Sequence, residues 1–183
     1  MDDRKNRIMT GMFSDRESAE RGYECLRTRG YGDPDVSLLM SDDTRTRCFP
    51  KTDVVKTELG TKAAEGAGIG ALAGGGMGAL LAGLAAAGIA VPGLPIIAAG
   101  PLAAALAGGG TGGALGALIG GLIGYGIPEE RAKLYETGIN EGGIVLGVTP
   151  RSDEDVDYIE REWTGARGQQ IYRPGYAETG RRT

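Results

Sequence analysis

Residues 66–128 contain no Asp, Glu, Lys or Arg. Within this uncharged run, small residues recur at every fourth position. Gly66, Gly70, Gly74 and Gly78 continue in register as Ala82, Ala86 and Ala90. A second series follows through Gly100, Ala104, Gly108, Gly112, Gly116, Gly120 and Gly124. Four residues is close to one helical turn, so each series lays small residues along one side of a helix. Val91-Pro92-Gly93-Leu94-Pro95 lies between the two series and reads as a turn. The pattern predicts a hairpin of two helices of roughly 25–30 residues, each about 40 Å long. Leu80, Leu84, Leu115, Leu118 and Leu122 fall off the small stripes, a phase that flexible linkers lack.

Such a hairpin needs close neighbours. A glycine inside a helix costs about 1 kcal/mol relative to alanine. Nine glycines fall between positions 66 and 90, which amounts to a cost on the order of 9 kcal/mol. Close backbone packing, or a medium without water, offsets that cost. A four-residue step advances about 400° around the helix, so the small stripe drifts by roughly 40° per step. A winding stripe suits several neighbouring helices better than one straight partner. The expected partner is therefore a second copy of the chain, with the zipper positions as the self-association surface.

The alternative partner is the lipid bilayer. Each arm is long enough to span about 30 Å of hydrocarbon, and Tyr125 suits an interface. Against insertion, glycine and alanine are weakly hydrophobic. Lys62, Glu65, Glu129 and Glu130 around the arms carry no positive bias.

The flanks are ordinary charged sequence. The first reads as β-α-β: a strand over 8–13, a helix over 15–28 and a strand over 36–40. Ser14 with Glu17 reads as a capping box, Gly30 as a helix stop, and Asp33-Pro34 as a turn. Residues 42–57 read as polar loop with room for a short edge strand. The last flank reads as α-β-α. Pro128 suits the first helical position, Gly142-Gly143 ends that helix, and residues 144–148 form an apolar strand. Ser152 caps a helix over 153–163, and a short strand follows near 170–172.

Together the flanks predict an α+β fold, a split ferredoxin-like β-α-β / α-β-α domain interrupted by the helical hairpin. The expected boundaries are 1–61 and 128–172 for the two halves, 62–127 for the hairpin and 173–183 for an unstructured tail.

Composition excludes histidine-based enzyme chemistry. The chain of 183 residues has no histidine, which removes imidazole bases and His-ligated metals. Cys25 and Cys48 are too far apart for a CxxC motif. A net charge of −4 gives no reason to expect nucleic-acid binding. The glycines at 70–78 lack the lysine and hydroxyl of a phosphate loop. The acidic run Asp153, Glu154, Asp155 and Asp157 lacks calcium-loop spacing and reads as a solvated helix face. Cys25, Tyr125, Tyr135 and Trp163 read as packing residues, and Glu129, Glu130 and Arg131 as a helix start. Arg151 reads either as a partner contact or as a strand-end cap. The N-terminus has no apolar h-region and is not expected to be a signal peptide. No catalytic residue, cofactor or metal is expected.

The strings GMFSDRESAERGYECL, TELGTKAAEGAGIGAL, AGPLAAALAGGG, GIPEERAKLYETGINEGGIVLGVTPRSDED and IEREW resemble the bacterial general-stress/heat-induced stress protein domain family. The resemblance covers roughly residues 8–172. It implies a ferredoxin-like half-domain interrupted by a glycine-rich apolar stretch, stress induction, and a cytoplasmic or membrane-associated location. It implies no catalytic activity. The expected function is thus a non-enzymatic, self-assembling stress protein in the cytoplasm. The alternative is a membrane-associated stress protein whose hairpin enters the bilayer from the cytoplasmic side. A ligand- or redox-sensing enzyme domain is a third reading that rests on fold analogy alone.

Overall fold

The computed structural model describes residues 8–48, 89–90, 96–108 and 113–173. Six strands appear in these segments: β1 (Met9–Phe13), β2 (Val36–Ser41), β3 (Ile89–Ala90), β4 (Ile96–Ala99), β5 (Ile144–Val148) and β6 (Gln169–Tyr172). The helices are α1 (Arg16–Thr28), α2 (Asp42–Cys48), α3 (Pro101–Gly108), α4 (Gly113–Gly124), α5 (Glu129–Asn140) and α6 (Asp153–Gly165). A 3-10 turn spans Asp33–Asp35. The protein is α+β, with one antiparallel sheet in the order β3-β4-β2-β5-β1-β6.

The two central strands β2 and β5 are buried at every position. A strand sends alternate side chains to opposite faces, so both faces of this sheet must be covered. On one face, Phe13, Leu38, Met40, Ile144 and Leu146 meet Tyr23 and Leu26 of α1 and Val156, Ile159 and Trp163 of α6. On the other, Leu39 and Val145 meet Leu102 and Leu106 of α3, Leu118 and Leu122 of α4, and Ala132, Tyr135 and Ile139 of α5. The result is three layers, helix–sheet–helix.

The second helical layer comes partly from the uncharged segment, and this corrects the second arm of the expected hairpin; residues 66–88 of the first arm lie outside the described residues. The second arm was expected to be one long helix. Instead its approach, Ile96–Ala99, is a strand paired with β2 from Leu38↔Ala99 to Ser41↔Ile96. Ile89 and Ala90, expected in the first arm, pair with β4 at Ala98 and Ile97. The physical reason is the open edge of β2, whose backbone groups need partners that an apolar strand supplies. Gly100 then turns the chain at φ +74°, and a Cβ there would overlap the Val36 carbonyl oxygen. Beyond it, α3 and α4 pack side by side. A Cβ on Gly121 would stand 2.6 Å from Leu106 Cδ2. In one continuous helix those two residues would be about 22 Å apart. The described helices end at Gly108 and begin at Gly113, and consecutive glycines such as those of Gly108-Gly109-Gly110-Thr111-Gly112-Gly113 are costly in a helix.

Two smaller expectations are also corrected. The cap of α1 is Asp15, whose Oδ1 accepts the Ser18 amide at 2.8 Å, rather than Ser14 with Glu17. A carboxylate at the positive end of a helix outcompetes a hydroxyl there. The start of the expected loop over 42–57 is the helix α2, whose Thr44 amide donates to Ser41 Oγ at 3.1 Å. Asp42 and Asp43 sit in its first turn and Arg45 and Arg47 in its last, matching the helix dipole. Ser152 caps α6 as expected, accepting from the Asp155 amide at 3.1 Å. Pro128 lies at the cap of α5, one position before the first helical residue.

Candidate functional site on helix α4

Helix α4 consists of twelve residues without a charge, GALGALIGGLIG. It binds the sheet layer through Leu118 and Leu122, both fully buried. Gly121 lies on the same inner side, against Leu106 of α3. Gly120 and Gly124 face outward. Both are exposed, and a Cβ added at either would meet nothing within 4 Å among the described residues. Four residues apart, they form one small-residue strip on the helix surface. Ile123 lies beside the strip and is 43% exposed, while Leu134 on the neighbouring α5 is 45% exposed. These are the exposed large apolar side chains among the described residues.

The other zipper positions divide in three. Gly66, Gly70, Gly74, Gly78, Ala82, Ala86 and Gly112 lie outside the described residues. Ala104 and Gly108 lie on α3 and Gly116 on α4. Gly100 is not part of a surface stripe; it is the turn between β4 and α3, pressed against the β2 backbone. The fourfold spacing therefore joins glycines with different tasks. Gly100 admits a close backbone approach, whereas Gly120 and Gly124 leave a helix surface bare.

A polar cluster lies where the end of α1 meets the start of α6. Asp155 is 7% exposed. It accepts from Tyr31 Oη at 2.6 Å and from Arg29 Nε at 2.7 Å. The Tyr31 oxygen in turn accepts the Arg151 amide at 3.0 Å. The Arg151 guanidinium sits 4.3 Å over the Tyr31 ring and donates to Gly30 O and Asp35 Oδ2 at 3.0 and 3.1 Å. Burial pushes Asp155 up, but the donors Tyr31 and Arg29 outweigh it and hold the carboxyl below its ordinary value. Burial, reinforced by the bond to Asp155, pushes Tyr31 up to about 12. The donors and acceptors of the cluster match, which is the state of a structural clasp.

Asp155, expected on a solvated helix face, is buried, and Arg29 and Tyr31 carry no motif that marks them in the sequence. Asp155 lies one turn before Ile159, at the edge of the inward stripe of α6. That helical phase was the available signal. Arg151 caps the α1 end rather than standing free. Tyr135 and Trp163 pack as expected, and each also makes a long-range hydrogen bond. Tyr135 Oη donates to Gln170 O at 2.7 Å and accepts from Thr10 Oγ1 at 2.8 Å. Trp163 Nε1 donates to Gly22 O at 3.0 Å. Arg131, read as part of a helix start, donates to Gln170 Oε1 at 2.6 Å and so helps fasten β6 to α5.

Among the described residues no group of three or more His, Cys, Asp or Glu is placed to hold a metal ion. None of the described helices is long and apolar enough to cross a membrane.

Fold and site together define an α+β protein with one antiparallel sheet helix-covered on both faces and a bare glycine strip on an outer helix. No protein-family model, curated protein or solved structure matches the chain.

Proposed function

We propose that this is a non-enzymatic structural protein that associates with copies of itself through the glycine strip of α4. The observation that carries this reading is the contrast between the two sides of one helix. Leu118, Gly121 and Leu122 are engaged with the protein's own core, while Gly120 and Gly124 stay bare beside an exposed Ile123. Glycine is a poor helix former. A glycine pair kept on an open helix surface lowers stability without local return, unless another backbone approaches it closely, as small residues allow.

A finer reading of the fold accompanies this one. Without β3 and β4, the strand order is β2-β5-β1-β6. Helices α1 and α6 follow β1 and β5 and lie on the same face. A ferredoxin-like core fits that order and connectivity. In this reading, α3, α4 and α5 cover the face such a core leaves open. A role in the stress response and a cytoplasmic location rest on the sequence resemblance alone. Bilayer association of the hairpin region, residues 62–127, from the cytoplasmic side is the competing reading, and no observation on the described residues favours it.

The test uses Gly120→Leu and Gly124→Leu in the full chain. Neither side chain would meet another described residue at Cβ, so the fold tolerates them while the strip is filled. Sedimentation velocity should show an assembly in the parent protein and its dissociation in the double variant, with circular dichroism unchanged. Particles of the same size in both proteins would overturn the proposal, as would a monomeric parent.

A further inference from the structure

We draw no further inference here: the strongest candidate, the surface patch formed by Gly120, Ile123 and Gly124 on α4 with Leu134 on α5, belongs to the site already described, and nothing among the described residues shows what else covers it.

Discussion

Tyr31 donates its hydroxyl hydrogen to Asp155 at 2.6 Å, joining residues 124 positions apart in the chain. The bond ties the end of α1 to the first turn of α6, and thus the first flank to the last. Removing the hydroxyl with Tyr31→Phe takes a donor from a buried carboxylate and an acceptor from the Arg151 amide. An unsatisfied buried polar group costs about 1–3 kcal/mol. Urea unfolding should show a loss of that order with an unchanged m value. A variant as stable as the parent would show that water replaces the hydroxyl at no cost.

The same carboxylate makes stability depend on acid. Asp155 is held below its ordinary value by its hydrogen-bond donors despite its burial. A group with a lowered folded-state pKa stabilises the fold where it is ionised. Its contribution is complete above the ordinary aspartate value of about 4 and is lost as pH falls through the lower folded-state value. Arg29, which donates to it, stays charged throughout that range. The stability difference between the parent and Asp155→Asn should be constant from pH 7 to about pH 5 and shrink below the ordinary aspartate pKa. A difference independent of pH would contradict this assignment.

Gly100 and Gly120 share one fourfold register, yet alanine should act on them with opposite sign. At Gly100 the backbone is left-handed, with φ +74°, and a Cβ would run into the Val36 carbonyl. Gly100→Ala should therefore destabilise by about 1–3 kcal/mol. Gly120 lies in a helix with open space around it, so Gly120→Ala should stabilise the monomer by up to about 1 kcal/mol. Thermal melts at a concentration low enough to suppress assembly read both effects. Equal effects at the two sites would mean that the register, not the local environment, governs these glycines.

Cys25 should be a slow thiol. Burial, with Glu162 nearby, pushes it up to about 12, and its Sγ donates to Gly22 O at 3.0 Å. The thiolate is the nucleophile, so at pH 8 only about one molecule in ten thousand carries it. Iodoacetamide labelling followed by peptide mass spectrometry should find Cys25 alkylated far more slowly in the folded protein than in urea. Equal rates in the two conditions would show that the end of α1 opens readily.

Most local structure was legible in the sequence, because it depends on contacts a few residues apart. The strand at 144–148 and the helix capped by Ser152 announce themselves through apolar runs, capping residues and helical spacing. What the sequence did not disclose involves competition between distant partners. Ile96–Ala99 has no local feature that forbids a helix; it becomes a strand because β2 has an unpaired edge beside it. Asp155 has no local mark of burial beyond its helical phase; it is buried because Tyr31 and Arg29 arrive with donors.

The sequence by itself determined the elements of the two flanks and the absence of charge across the centre, and with it the need to keep that centre from water. Only the tertiary structure decided where residues 96–108 and 113–127 go: a strand paired to β2 and two short helices over the sheet's second face, α5 beside them. It also decided which glycines are turns, which are packed and which are bare. The reason is physical. Hydrophobicity states that a surface must be covered, and it is non-directional. Which partner covers it depends on backbone hydrogen bonds and steric fit between segments that meet only in the folded chain.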